Sequence, residues 1–197
     1  MLTLLGLKRL HVGPVDAEVG AGECVAVMGR SGAGKSVLLR MVADLDPHEG
    51  DAALEGVPAA SLPAPEWRAR VTYVGAESGW WSATVADHFA PGSDFSRFED
   101  VGIRPQAAAW PVSRLSTGER QRLALLRAIT PRTRVLLLDE PTSGLDRDNI
   151  ARVEVLLRGL LARGLAIVLV THDPAQAERL AHRRLELSEG RLVGAAA

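Results

Sequence analysis

Short apolar runs alternate along the chain with amphipathic stretches of helical period. Three runs have the length and composition of strands buried on both faces: CVAVM (24–28), VLLLD (135–139) and LAIVLV (165–170). Helical spacing of apolar residues is seen in 37–45 and 147–163, and Asp173-Pro174 supplies a cap and a first position for a further helix. Strands that alternate with helices predict an α/β fold with a mostly parallel sheet.

Other segments carry weaker strand patterns. Further short strands are expected at 2–5, 15–19, 50–60 and 70–75. Glu189-Gly190 predicts the turn of a C-terminal hairpin. Residues 78–114 are the least regular part, and Ser116 with Glu119 has the spacing of a capping box that opens a helix ending before Pro131. With 197 residues and no linker long enough to divide them, the chain is expected to form a single domain over 1–197.

Composition narrows the class of protein. The formal net charge is −1 and no run of five like charges occurs, which argues against nucleic acid or an anionic membrane surface as the main partner. The single cysteine excludes an internal disulfide. The N-terminal segment lacks the features of a signal peptide, and no apolar run approaches 18 residues. We therefore expect a cytoplasmic protein that does not cross a membrane by itself, with no regulatory domain after the last hairpin.

A glycine-rich segment after the first buried run predicts a phosphate-binding loop. It reads Gly29-Arg30-Ser31-Gly32-Ala33-Gly34-Lys35-Ser36 and matches G-x-x-x-x-G-K-[ST], with a strand before it and a helix after it. In such a loop the backbone N–H groups point at phosphate oxygens, and the helix N-terminus adds its positive dipole. Lys35 reaches the β- and γ-phosphates and Ser36 ligates Mg²⁺. The alternative, a glycine-rich turn with a surface lysine, does not explain this context.

Two adjacent carboxylates follow the second buried run. Asp139 ends VLLLD, where it is expected to hold Mg²⁺ through water, and Glu140 is placed to act as general base toward the attacking water. The alternative is a solvated strand end. The presence of the phosphate loop favours the catalytic interpretation.

Three further motifs make the pattern specific. Residues 115–122 read LSTGERQR, residues 136–146 read LLLDEPTSGLD, and Thr171-His172-Asp173 follows the third buried run. Together with the phosphate loop they resemble the nucleotide-binding domain of ATP-binding cassette (ABC) proteins, in the same order and at ordinary spacings. A phosphate loop alone leaves kinases and GTPases open, so LSTGERQR is the discriminating segment.

The resemblance implies a fold and a set of site residues. The fold is the P-loop NTPase fold of ABC ATPases, with an antiparallel β layer from roughly 1–24 and 50–75 and a short helical subdomain near 78–127. Two such domains face each other head to tail and enclose two ATP molecules. The residues implied to bind the nucleotide are Gly29 to Val37 of one subunit and Ser116, Thr117, Gly118 and Glu119 of the other. Asp146, grouped with them, resembles the loop that communicates across the dimer. Glu140 resembles the catalytic base, and His172 resembles the switch residue at the γ-phosphate.

The sequence departs from the family pattern at three places. Ala76 stands where the family has a glutamine that touches Mg²⁺, and the neighbouring Glu77 is either a substitute metal ligand or a merely solvated carboxylate. No aromatic residue precedes the phosphate loop to stack on adenine; His11 either stacks weakly or serves at the surface or in packing. Thr117 replaces a commoner glycine, a change that the backbone is expected to tolerate.

The function implied by the resemblance is ATP hydrolysis as the motor subunit of a membrane transporter. Its partners are a membrane-spanning permease and a second ABC ATPase domain, in a homodimer or heterodimer, and its cofactors are ATP and Mg²⁺. Trp80 and Trp81 lie where relatives contact the permease, although one of them at least is equally suited to fill the subdomain core. The alternatives are a soluble non-transport ABC ATPase and a nucleotide-binding regulatory subunit with weak hydrolysis.

Overall fold

Two β-sheets organise the chain in this computed structural model, which describes residues 1–196. In that range the strands are β1 (Leu2–Arg9), β2 (Val12–Val19), β3 (Cys24–Met28), β4 (Glu49–Leu54), β5 (Val57–Pro58), β6 (Val71–Val74), β7 (Val135–Asp139), β8 (Ala166–Val170), β9 (Arg183–Ser188) and β10 (Arg191–Ala196). The α-helices are α1 (Lys35–Val42), α2 (Ala64–Arg70), α3 (Thr117–Ala128), α4 (Arg147–Ala162) and α5 (Pro174–Leu180). The predicted α/β class is confirmed.

The larger sheet has the strand order β10-β9-β3-β8-β7-β6. Strands β9, β3, β8, β7 and β6 pair in parallel, and β10 adds an antiparallel edge through the hairpin predicted at Glu189-Gly190. Every residue of β7 and β8 is buried, as expected of strands covered on both faces. The phosphate loop, Asp139 and His172 follow β3, β7 and β8 at one edge of this sheet, because parallel strands end on the same side.

Alternate residues of the central strands pack into two different hydrophobic clusters. Leu137 faces the cluster that contains α1 and the antiparallel layer, whereas Leu136 and Leu138 face the cluster that contains α3 and α4. This alternation follows from the two-residue period of a strand. The continuous apolar composition of β7 is therefore explained by two cores that share one sheet.

The antiparallel layer is smaller than predicted. It has the order β2-β1-β4-β5, and its strands lie within 2–19 and 49–58. The prediction that 70–75 belongs to this layer is wrong, since β6 pairs in parallel with β7 in the larger sheet. Helix α2 carries the chain from β5 to the edge of the parallel sheet, where β6 pairs. A short strand pattern in the sequence does not by itself identify the strand with which it pairs.

The region expected to be a helical subdomain is built mainly from short 3-10 segments. Four of them lie between β6 and α3, at Ala86–His88, Phe95–Val101, Pro105–Ala109 and Val112–Arg114. Phe98, Val101 and Leu115 are buried there and join the cluster of α3 and α4. Across residues 1–196, no helix is long and apolar enough to cross a membrane.

Candidate functional site

The predicted phosphate-binding loop between β3 and α1 requires glycine at two positions where its backbone lies close to neighbouring strands. Gly34 has φ of 100° and Gly29 has φ of 143°, both outside the range comfortable for other residues. A Cβ atom on Gly34 would lie 2.2 Å from Val12 Cγ2, and one on Gly29 would lie 2.2 Å from the carbonyl oxygen of Leu187. The loop therefore packs directly against the antiparallel layer and against β9, which fixes its shape.

Lys35 crosses the concave side of this loop. Its side chain is buried, with 6% of the residue exposed, and its Nζ donates to the carbonyl oxygens of Gly29 at 2.7 Å and Arg30 at 3.0 Å. Ala33 N–H also donates to the Arg30 carbonyl, which closes the turn. An ammonium group has three donors, so two bonds to the loop leave one for a ligand. Lys35 is thus fixed in position with a donor available.

The predicted site residues from three strand ends converge on one cavity of about 350 Å³. Its walls come from the loop and first turn of α1, from the end of β7, from the segment after β8, and from the β1–β2 turn: Ser31, Gly32, Gly34, Lys35, Ser36, Val37, Asp139, Glu140, His172 and His11. The sequence motifs predicted that all of these residues except His11 belong to one site. His11 is exposed and lies beside the loop, with its Nε2 3.2 Å from the position of a Gly34 Cβ.

Asp139 has a hydrogen-bond partner that sequence reasoning missed. The Tyr73 hydroxyl on β6 donates to Asp139 Oδ2 at 3.1 Å, and only 5% of Asp139 is exposed. Burial, and then the negative charge of Asp139, raise the pKa of the Tyr73 phenol, so it stays protonated and acts as a donor. The sequence gives one weak signal for this contact, which is that Tyr73 is the single tyrosine of the chain. The contact itself depends on the pairing of β6 with β7, which the sequence does not reveal.

The oxygen donors in this cavity suit a hard divalent cation. Ser36 supplies a hydroxyl at the start of α1, and Asp139 supplies a carboxylate at the end of β7. Mg²⁺ prefers a few such oxygens together with water and phosphate, so this pair fits the ion.

Glu140 follows the last residue of β7, and contacts to both its backbone and its side chain hold it in position. Its backbone has φ of 51°, a conformation uncommon for a residue with a side chain. Its N–H donates to Val170 O at 2.9 Å, and Gln121 Nε2 of α3 donates to its carbonyl oxygen at 2.8 Å. Its Oε1 lies 2.9 Å from His172 Nε2. The pair is therefore preassembled, and Gln121, a residue of the LSTGERQR segment, contacts the Glu140 backbone directly.

The LSTGERQR segment does not line this cavity. Ser116 caps α3, accepting from Glu119 N–H at 3.2 Å while its own N–H donates to Glu119 Oε2 at 2.8 Å, so the predicted capping box is confirmed. Ser116 and Thr117 are exposed, and Gly118 packs against Leu145. Within one chain, these residues form a partly exposed surface at the start of α3.

Asp146 is the N-cap of α4. Its side chain accepts from the Asn149 N–H at 2.9 Å and from Asn149 Nδ2 at 2.7 Å, and these bonds hold the pKa of its carboxyl below the usual value. Arg122 of α3, which is buried, donates to Asn149 Oδ1 at 2.6 Å and to Val101 O. The start of α4 is therefore tied to α3, a link that motif reading did not reveal.

Glu77 does not line the cavity that contains Ser36 and Asp139. It is exposed and lines a separate cavity together with Tyr73, Trp81, His88 and Arg127. This arrangement favours the solvated alternative for Glu77 over the metal ligand. A flexible exposed carboxylate near a strand end is not distinguishable from a ligand by sequence alone.

The adjacent residues Trp80 and Trp81 differ in exposure, and of the two it is Trp81 that lines this second cavity. Trp80 is half-buried against the cluster of α3 and α4, whereas 71% of Trp81 is exposed. The Arg127 guanidinium carbon lies 5.0 Å from the ring centroid of Trp80 and 4.6 Å from that of Trp81. The backbone N–H of Trp81 donates to His88 Nε2 at 2.9 Å. Trp81 is thus held by cation–π and hydrogen-bond contacts while its ring faces solvent.

Comparison with known proteins gives a consistent picture. The family model described as ABC transporter matches residues 12–143. The chain is 40% identical over 188 residues to the aliphatic sulfonates import ATP-binding protein SsuB of Ralstonia nicotianae, covering 91% of this chain and 64% of that protein. It is 38% identical to the SsuB protein of Mycobacterium avium, covering 91% of this chain and 72% of that protein. The chain spans less than two thirds of the length of the Ralstonia relative.

Solved structures resemble the chain over almost its whole length. A dimeric ATP-binding cassette in a post-hydrolysis state, bound to ADP and Pi, aligns with a TM-score of 0.87 at 22% identity, covering 99% of this chain and 97% of that one. A bacterial Atm1-family ABC exporter with ATP bound aligns with a TM-score of 0.84 at 24% identity, covering 98% of this chain and 38% of that one. At these identities the likeness establishes the fold.

Proposed function

The chain belongs to the ABC transporter family, and from that premise we propose that it is the ATP-binding and ATP-hydrolysing subunit of a transporter. Its fold is the P-loop NTPase fold of ABC cassettes, as the sequence predicted. The observation that carries the proposal is the convergence of Lys35, Glu140 and His172 on one cavity. The proposed unit is a single ABC ATPase domain, with a subdomain near 78–127.

The loop is proposed to bind the triphosphate of ATP. Its backbone N–H groups and the N-terminus of α1 favour negative charge, and the free donor of Lys35 points a localised positive charge at the β- and γ-phosphates. Ser36 and Asp139 are the residues that would hold Mg²⁺. When bound, that ion neutralises phosphate charge. His11 at the cavity wall is available to the base of the nucleotide.

Glu140 is proposed to act as the general base and His172 to hold it in place. Oxygen of a water molecule attacks the γ-phosphorus, Glu140 takes the proton of that water, and the bond to the β-γ bridging oxygen breaks to release ADP and phosphate. The contact of 2.9 Å between Glu140 and His172 supports this assignment, since it orients the carboxylate next to the loop.

A second ABC ATPase domain is proposed to complete each site. The exposed start of α3, Ser116 to Glu119, offers N–H groups and a hydroxyl to the γ-phosphate bound by the partner, and Asp146 lies in the loop expected at the same interface. The dimeric state of the related cassette supports this arrangement. No nucleic acid is proposed as a partner, given the net charge of −1.

Substitution of Ser116 separates its capping role from its role at the dimer. Ser116→Ala is expected to lower the free energy of unfolding by about 1 kcal/mol, because the N-cap acceptor is lost. Ser116→Asp keeps an acceptor for the Glu119 N–H but loses the hydroxyl that donates to Glu119 Oε2, so it is expected to restore only part of the stability, and its negative charge repels the γ-phosphate and prevents ATP-dependent dimerisation. Urea unfolding and size-exclusion chromatography with ATP in the Glu140→Gln background provide the two readouts. If Ser116→Asp dimerised as well as the same background with Ser116 intact, the proposed contact of Ser116 with the partner's γ-phosphate would be contradicted.

The membrane partner is proposed to be a permease that contacts the surface around Trp81. The related SsuB proteins are named as import ATP-binding proteins, which supports such a partner. An exposed indole fixed by Arg127 and His88 has the character of an interface hot spot. Through this contact the chain is proposed to be a peripheral protein on the cytoplasmic face of the cell membrane.

Removal of the Trp81 ring is expected to affect coupling and not hydrolysis itself. Trp81→Ala should weaken the association with the permease by at least tenfold, since a central aromatic contributes about 2 kcal/mol or more at an interface. The ATPase rate of the isolated chain should stay unchanged, because Trp81 lies outside the loop cavity. Trp67 is fully buried, so Trp67→Phe is the control that shows the effect of a general loss of packing. Equal affinity of Trp81→Ala and wild type for the permease would contradict the assignment.

The proposed function is tested by capture of the partner. Tagged Glu140→Gln is recovered from detergent-solubilised cells of the native host with ATP and Mg²⁺, and Lys35→Ala is treated in parallel as a control for ATP dependence. We expect a polytopic membrane protein with Glu140→Gln, and its sequence identifies the cargo class. Recovery of ribosomal, DNA-bound or assembly proteins from the soluble fraction would instead favour a non-transport ABC ATPase. ATP binding without hydrolysis by wild type would favour a regulatory subunit.

A further inference from the structure

The carboxylate of Asp139 is oriented by a phenol. Among the side chains of residues 1–196, Tyr73 is the one that donates a hydrogen bond to this carboxylate, at 3.1 Å from Oδ2. β6 runs beside β7 with Tyr73 opposite Leu137 and Val74 opposite Leu138, so the hydroxyl extends along the sheet to the strand end. The bond is made to Oδ2 of Asp139, and Asp139 also lines the cavity of the loop.

The chain makes room for this side chain at Gly75. A Cβ on Gly75 would lie 3.3 Å from both Cε1 and the hydroxyl oxygen of Tyr73. That distance is tighter than ordinary van der Waals contact, so a side chain at residue 75 would displace the phenol. The φ of Gly75 is not positive, and its backbone therefore does not itself require glycine.

The polar groups that follow β6 do not provide this contact. Ala76 has no polar side chain, and Glu77 is exposed and lines the cavity of Trp81. Tyr73 is thus the polar side chain of this strand end that reaches Asp139. The phenol and the carboxylate therefore form a donor–acceptor pair in which the Tyr73 hydroxyl is the donor.

We propose that Tyr73 is a positioning residue for Asp139, holding the carboxylate in the orientation in which it serves a divalent cation beside Ser36. This proposal rests on the proposed ATP-binding function and concerns how that site selects and retains its cation. Tyr73 acts through Asp139 and does not touch the nucleotide. Since Tyr73 also lines the cavity of Trp81, it is the physical contact between that cavity and the carboxylate.

The test measures cation affinity directly. Wild type, Tyr73→Phe and Thr72→Val are titrated with Mn²⁺ in the presence of a non-hydrolysable ATP analogue, and bound Mn²⁺ is followed by EPR. Tyr73→Phe removes only the hydroxyl and is expected to raise the apparent Kd for Mn²⁺ by roughly three- to tenfold, the effect of losing one hydrogen bond of ordinary net strength that orients a ligand of the ion and does not contact the ion itself. Metal-free binding of the analogue and the Tm are expected to match wild type.

Thr72→Val is the matched control. It also removes one hydroxyl from β6, but the Thr72 hydroxyl donates to Arg68 O at 3.0 Å and not to Asp139. Its Kd for Mn²⁺ is expected to equal that of wild type. A wild-type Kd in Tyr73→Phe, or an equal loss in Thr72→Val, would overturn the proposal. Failure of wild type itself to bind the metal and the analogue would remove the proposed function as well.

A substitution at Gly75 tests the position of the same Tyr73 hydroxyl without removing it. Gly75→Ala is expected to weaken Mn²⁺ binding in the Tyr73 background by displacing the phenol. In the Tyr73→Phe background the same change is expected to add little, because there is no hydroxyl to displace. Additive effects of the two substitutions would show that they act independently and would contradict the proposal.

Discussion

Glu140→Gln is expected to lower kcat for ATP hydrolysis by roughly 10²- to 10⁴-fold. The amide has the same shape as the carboxylate and keeps a hydrogen-bonding group 2.9 Å from His172, but it does not accept a proton from water. ATP affinity is expected to stay at the level of wild type, because the phosphates are bound by the loop and Lys35. Phosphate release at saturating Mg²⁺ and ATP measures kcat, and equilibrium dialysis measures ATP binding.

The control for Glu140→Gln is the same chemical change at an exposed carboxylate. Glu55 lies in the turn between β4 and β5, and Glu55→Gln is expected to keep the wild-type rate. Hydrolysis by Glu140→Gln within tenfold of wild type would rule out Glu140 as the general base. A parallel loss of ATP affinity would instead indicate that Glu140 supports the shape of the site.

Lys35→Ala is expected to lose measurable nucleotide binding. The substitution removes a positive charge at the phosphates, and hydrogen bonds to charged groups contribute about 1.5–3 kcal/mol, or roughly 10- to 150-fold in affinity. It also removes the two bonds from Nζ to the Gly29 and Arg30 carbonyls, which stabilise the loop itself. Fluorescence titration with a labelled ATP analogue, with and without Mg²⁺, measures the loss.

The chain offers a natural control in its one other lysine. Lys8 is exposed on β1 and lies 3.5 Å from Glu49, so Lys8→Ala changes the net charge equally without touching the loop. Its nucleotide affinity is expected to equal that of wild type. Unchanged affinity in Lys35→Ala would refute the assignment of the phosphate loop. A loss in both variants would point to a general effect of charge.

The sequence predicted those parts of the site that are encoded locally. The loop from Gly29 to Ser36 and the capping box of Ser116 and Glu119 each depend on residues within a few positions of one another, so their geometry follows from spacing. The place of Asp139 beside the loop also followed, because parallel strands end at one edge of a sheet. The place of His172 was implied by the resemblance to ABC proteins.

Contacts that depend on strand order were not predictable in this way. The bond from Tyr73 to Asp139 requires β6 to lie beside β7, and the sequence analysis placed that segment in the antiparallel layer. The bond from Gln121 to the Glu140 carbonyl requires the packing of α3 on the sheet. Glu77 is the opposite case. Its position next to Ala76 in the sequence left a metal ligand open, whereas its side chain lines the cavity of Trp81.

Helix α3 has contacts near its start that belong, in the proposed dimer, to two different ATP molecules. Ser116 faces the γ-phosphate held by the partner, and about one helical turn later Gln121 holds the carbonyl of Glu140 in its own subunit. In that dimer, a displacement of α3 on loss of the partner's phosphate would change the hydrogen bond that Gln121 donates to the Glu140 carbonyl. One helix would then link the general base of each subunit to the phosphate bound by its neighbour.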